Sequence, residues 1–211
     1  MSDSTLSRYA GPIALAAGAL FAVLDLTRLP IALAEDRVAI LLDPVVRTFN
    51  AAYFFAFCGL VIALVALHGR HARQAGGFGV FAFCAAVVGT MTQGGNMWFD
   101  GFVSPWLAEV APQVFTAEKT LILQVGALLS YGLMTLGWVL FGAAALRAKV
   151  FPAVLAVALA VGGVFAFNSG MPPNGVPLGL AVAALGAWLI RSDRVARRQR
   201  PVSRPGRGSR R

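Results

Sequence analysis

Six runs of about 20 predominantly apolar residues, separated by short charged stretches, leave this 211-residue chain few ways to fold. A run of that length, wound as a helix rising about 1.5 Å per residue, spans the roughly 30 Å hydrocarbon core of a bilayer. The runs fall at residues 9–29, 49–67, 76–98, 120–146, 150–167 and 174–190. Composition agrees: 58% of the residues are hydrophobic, 13% are charged and the mean hydropathy is +0.73. A soluble domain carries roughly 25% charged residues, so an ordinary soluble enzyme is excluded. The expected fold class is all-α, a polytopic membrane helical bundle with six transmembrane helices. The first run is long, lacks a strong basic lead-in and ends in Asp25 and Arg28 where a signal peptide would have a small-residue cleavage site. It therefore reads as a span.

Charge sets the orientation. Arg8, Arg70, Arg73, Arg147, Lys149 and the Arg-rich end after residue 190 fall on one side of the six-span reading. That side collects 14 of the 18 basic residues, against Asp3 and Asp193 among the acids. The other side holds Arg37, Arg47 and Lys119 with Glu35, Asp36, Asp43, Asp100, Glu109 and Glu118. By the positive-inside rule both termini are cytoplasmic, and an even number of spans satisfies this. The expected location is the plasma (inner) membrane, as a multi-pass protein.

The formal charge of +9 does not point to nucleic acid, because nine basic residues are concentrated between Arg191 and Arg211. Residues 192–211 are expected to form a disordered basic cytoplasmic tail that meets anionic lipid headgroups. Residues 1–191 form the membrane domain. Sixteen Arg against two Lys, in a chain rich in Ala, Gly and Val, fits a high-GC bacterial genome. Cys58 and Cys84 lie in apolar runs without metal-ligand spacing and read as small core residues.

One internal echo is visible. Asp25 precedes Pro30 by five residues, with Leu33-Ala34-Glu35 following; Asp100 precedes Pro105 by five, with Leu107-Ala108-Glu109 following. A duplicated hairpin, 9–67 and 76–146, explains it, and chance in so biased a composition is the rival. In each copy proline interrupts the helical ladder, and the apolar segment beyond is expected to lie as a short interfacial helix on the outer face.

Charged and amide side chains within spans are costly, and they mark candidate sites. Asp25 and Arg28 share a helix face at i,i+3; they form either a structural ion pair, with Arg28 snorkelling outward, or part of a binding site. On the third span Gly89, Gln93, Asn96 and Asp100 draw one stripe, with the Gly94-Gly95 pair marking a kink or an opened turn. Gln124 and Tyr131 lie seven apart on the fourth span, Asn50 and Tyr53 open the second, and Asn168 and Asn174 bracket the last outer loop. Interhelical hydrogen bonding for packing alone is the competing account of all these groups. The outer halves of the spans carry nearly all of this polarity, whereas the inner halves are apolar. That asymmetry favours an outward-opening polar pocket over a packed base, since a channel needs polar lining through its full depth.

Enzyme chemistry has little to work with. The sequence has no G-x-S-x-G, H-E-x-x-H or Walker pattern. His68 and His71, the only histidines, are placed in a short basic loop, and Ser130 has no activating base. No cofactor and no metal site is expected. The opening Arg8-Tyr9-Ala10-Gly11, the acidic outer loops and Val150-Phe151-Pro152 at the start of the fifth span resemble the small six-helix membrane proteins of unknown function in high-GC bacteria. The resemblance implies a helical bundle and assigns no site residues. The expected partners are the lipid bilayer and, at the pocket, a small polar ligand or a membrane-protein partner. A binding or accessory role is the leading expectation, with a small-solute permease as the alternative.

Overall fold

Where a segment offers no water to its backbone, its peptide groups must pair with one another, and a helix does this within a single run. The structure, a computed structural model, describes residues 5–198 and is helical throughout its long segments. Five long helices follow one another: α1 (Ala10–Thr27), α2 (Pro44–Trp98), α3 (Leu121–Ala148), α4 (Ala153–Phe165) and α5 (Val176–Arg198). Among the described residues four segments are long and apolar enough to cross a membrane: Ala10–Leu33, Pro44–Val110, Leu121–Ala148 and Val176–Arg198. At 13 residues, α4 is shorter than a span.

The second and third apolar runs are not separated by a loop. Residues 44–75 form one continuous arm, and the path breaks only at Gly76, whose φ of +60° suits a residue without a side chain. The chain then returns as a second, antiparallel arm, which brings Gly94 against Phe57 and Gly101 against the backbone of Asn50 and Ala51. His68 and His71, expected in a loop, are therefore helical. His71 is buried between the rings of Phe141 and Phe151, with its Nδ1 2.9 Å from the Leu67 carbonyl. The second run also starts earlier than expected, because Asp43 caps it: its Oδ1 accepts from the N–H groups of Val45 and Val46, and Pro44 occupies the first turn.

Short helices follow each of the two prolines. Leu29–Leu33 and Ser104–Val110 carry Pro30 and Pro105 in their first turns, and Arg37–Leu42 is capped by Asp36. Each proline thus begins a new helix instead of only ending an old one. Gly94 and Gly95 stay within regular helix; the opened turn lies further on, as a π-turn at Phe99–Val103.

Successive rods lie side by side and close a ring in which α1 meets α5. Gly18 faces the backbone of Gly179 and Ala183, and Gly11 faces that of Gly186 and Ile190, so close that a Cβ at either would meet main chain. Small residues bring helices together in this way where burial of apolar surface gives no advantage over lipid. The same device joins α2 to α3 at Gly89 and Gly137, and α3 to α4 at Gly142 and Gly163. Inside the ring, Leu60, Leu64, Leu67, Met134, Trp138, Phe141 and Leu159 are fully buried. At the end bearing the basic residues, Arg70 holds Asp193 at 2.6 Å. The last helix runs on to Arg198, past the boundary at 192 expected for the tail; residues 199–211 of that expectation lie outside the described residues.

Candidate functional site

The last turn of α1, the start of α2 and the α4–α5 connection meet around one guanidinium. Asp25 and Arg28 are 0% and 2% exposed. Arg28 Nη1 stands 3.9 Å from Asp25 Oδ1, an ion pair too long to be a hydrogen bond. Other arms of Arg28 are committed: Nε donates to Asn50 Oδ1 at 2.6 Å, and Nη2 donates to the Gly170 carbonyl at 3.1 Å. The Tyr53 ring lies against the guanidinium, 4.3 Å from Cζ to the ring centre. Arg28 therefore points into the bundle and does not snorkel outward.

The connection over residues 169–175 closes this cluster. The Tyr53 hydroxyl donates to the Ser169 carbonyl at 3.1 Å, and the Gly175 N–H donates to Asp25 Oδ2 at 2.8 Å. A Cβ on Gly175 would stand 2.6 Å from the Tyr53 hydroxyl and 3.1 Å from Asp25 Cγ, so only glycine lets the backbone come this near.

The stripe on the second arm of α2 meets the same connection. Gln93 is fully buried, and a Cβ on Gly170 would lie 3.6 Å from its Nε2. Its Oε1 accepts from Asn96 Nδ2 at 3.2 Å and lies 3.4 Å from Ser130 Oγ, to which Asn96 also donates. Below, Trp138 Nε1 donates to Thr90 Oγ1 at 3.0 Å. Above, half-buried Asp100 sits in the π-turn and accepts from Ser104 Oγ at 3.4 Å.

Asp25 and Arg28 thus form one cluster and Gln93 and Asn96 a second, both packed against the connection at Gly170, while Asp100 is bonded to Ser104 farther along the helix. Gln124 is part of neither. That side chain is exposed and turns back to donate to the Lys119 carbonyl at 2.8 Å. Tyr131 is half-buried against Phe167, with ring centres 5.9 Å apart, one residue beyond Ser130. Asn50, Tyr53, Ser169 and Gly170 complete the first cluster and Ser130 the second; Asn50 and Tyr53 stand out in the sequence at the start of the second apolar run, whereas the backbone groups of 169–175 carry no sequence signal.

Four buried atoms here have no hydrogen-bond partner: Asp25 Oδ1, Arg28 Nη1, Gln93 Nε2 and Ser169 Oγ. Buried polar atoms are ordinarily paired, and each unpaired one costs about 1–3 kcal/mol. Among the described residues no group of three or more His, Cys, Asp or Glu side chains is placed to hold a metal ion. A separate cavity of about 200 Å³ lies between the two arms of α2, lined by Phe54, Phe57, Cys58, Val61, Met91 and other residues, and is almost wholly apolar. Comparison of the chain with protein-family models, with curated proteins and with solved structures finds no match.

Proposed function

We propose that this chain is a plasma-membrane binding or accessory protein that crosses the bilayer six times with both termini in the cytoplasm. In this reading the two arms of α2 are separate spans, and α4 crosses together with the turns that follow it. The basic residues at the Arg70–Asp193 end face the cytoplasm, and the Arg-rich tail meets anionic headgroups, each basic residue near the surface contributing about 1 kcal/mol. The network beneath residues 169–175 receives a small polar group from the outer side. One observation carries this reading: of the seven buried side-chain atoms without a hydrogen-bond partner among the described residues, four belong to Asp25, Arg28, Gln93 and Ser169 around the connection that covers them, Asp25 Oδ1 and Arg28 Nη1 facing each other at 3.9 Å. A network used only for packing would have its donors and acceptors matched within the protein.

The test measures stability and binding on the same variants, using native mass spectrometry of the purified full chain to detect retained molecules. Asn96→Leu is expected to lower stability only by the two hydrogen bonds it makes to Gln93 and Ser130, about 1 kcal/mol each, yet to lose the retained species altogether, and Asp100→Asn to change its affinity selectively. Parallel loss of stability and binding in Asn96→Leu, with no effect of Asp100→Asn on either, would return the network to a packing role. A permease is the second reading. It requires water to reach the inner half, where Leu60, Leu64 and Phe141 are closely packed. Ready labelling of Ala63→Cys and Leu155→Cys from the cytoplasm would favour it.

A further inference from the structure

The two arms of α2 do not touch along their whole length, and between them runs an apolar groove of about 200 Å³. Phe54, Phe57, Cys58 and Val61, at helical spacings of three and four, form one wall over two turns of the first arm. Thr90, Met91 and Gly94 form the other. The Gly94-Gly95 pair leaves the helix regular and thins it instead: Gly94 seats against Phe57, and a Cβ on Gly95 would meet nothing within 4 Å. Cys58 and Met91 are exposed, as are Phe55 and Ile62, which adjoin lining residues in the chain. All of these residues fall in the apolar runs 49–67 and 76–98. With the two arms as spans, the groove opens onto lipid hydrocarbon and not onto water.

Shape and chemistry together define the occupant. From Phe54 to Val61 the wall measures about 10 Å at 1.5 Å per residue. Spread over that length, 200 Å³ has a section of about 20 Å², the width of one extended hydrocarbon chain and too slender for a fused-ring molecule. The volume exceeds that of an apolar cavity of about 150 Å³, which stays dry and takes up benzene. The Thr90 hydroxyl is already committed: it donates to the Ala86 carbonyl at 2.7 Å and accepts from Trp138 Nε1 at 3.0 Å. A headgroup, a sugar or a quinone ring would lose its hydrogen bonds to water and gain none here.

We propose that this groove is a binding site for one acyl chain of a membrane phospholipid, selected by its chain and not by its headgroup. The inference rests on the two arms being membrane spans and is independent of the polar clusters beneath residues 169–175. Dispersion contacts with the Phe54 and Phe57 rings and the Met91 thioether hold the chain along the arms. It takes the space that side chains at Gly94 and Gly95 would otherwise narrow, which gives the glycine pair a purpose other than a kink.

Trp138 supplies the readout, because its hydrogen bond to Thr90 holds a fully buried indole at the groove wall. The full chain with Trp98, Trp106 and Trp188 replaced by Phe is placed in vesicles of phosphatidylcholine brominated midway along its acyl chains. Bromine quenches indole emission only at close range, so strong quenching of this buried residue is expected, and equally strong quenching with brominated phosphatidylglycerol. Val61→Phe, which puts a ring into the groove, should at least halve it. Met91→Phe repeats the test from the opposite wall if Val61→Phe fails to fold. A Phe55→Trp protein lacking all four native tryptophans reports ordinary lipid contact at the same depth, and should be quenched with or without Val61→Phe. Three results overturn the proposal while the spans and the polar clusters stand: Trp138 unquenched beside a quenched Phe55→Trp, equal quenching of Trp138 in the open and filled grooves, or quenching that follows the headgroup. If Phe55→Trp is also unquenched, the reading of the arms as spans falls with it.

Discussion

Removing Arg28 should be far more damaging than removing Arg28 and Asp25 together. Arg28→Met leaves Asp25 buried with its charge uncompensated and with the Gly175 N–H as its remaining hydrogen bond. It also strips the partners from Asn50 Oδ1 and the Gly170 carbonyl. Breaking one side of a buried ion pair costs about 3–5 kcal/mol, and Asp25→Leu should cost a similar amount by stranding the guanidinium. In Asp25→Leu/Arg28→Met both charges are gone. What remains is the loss of partners for Asn50, Gly170 and Gly175, at most about 1–3 kcal/mol each and less where packing adjusts, losses that the two single variants already carry between them. The cycle should therefore depart from additivity by several kcal/mol, beyond the about 0.5–3 kcal/mol common for neighbouring residues. Reversible unfolding of the three variants and the wild type in mixed detergent micelles measures it. A double variant that loses as much as the two singles combined would refute the view that these charges chiefly neutralise each other.

Gly18→Val should prevent the close seating of α1 on α5, lowering the thermal midpoint in detergent by more than Gly126→Val, since Gly126 faces open space. Asp43→Ala should cost about 1 kcal/mol through loss of the cap on Pro44–Trp98, read from the same unfolding curves. Reporters inserted after Gly77 and Lys149 should behave as cytoplasmic, and those in residues 36–43 and 109–113 as exported. One clear reversal would break the six-span reading. Removing residues 199–211 should leave the midpoint unchanged, whereas removing everything after Ser192 also deletes the Asp193 partner of Arg70 and should lower it.

The helices were legible because bilayer-length apolar runs can satisfy their backbones in few other ways. The Asp25–Arg28 pair and the Gln93–Asn96 stripe were legible from helical periodicity. Their meeting was not, because it depends on the Gly170 carbonyl and the Gly175 N–H, and every residue carries such groups. The position of Gln124 also escaped the sequence. Spacing places it correctly on its helix, but that part of α3 has no neighbour to turn toward. The loop expected around His68 and His71 failed for a related reason. Basic residues suggest solvent, yet a helix longer than the bilayer is thick carries them onward without unwinding, and aromatic rings from α3 and the segment before α4 enclose His71.

The seam between α1 and α5 imposes an order on biosynthesis. Gly11 and Gly18 find their partners in α5, so while the ribosome is still making the middle of the chain, the first helix waits with its most intimate surface uncovered. Closure waits on α5, and a nascent chain halted before Val176 is an open arc. Until α5 arrives, the small-residue face of the first helix has no other surface shaped to receive it.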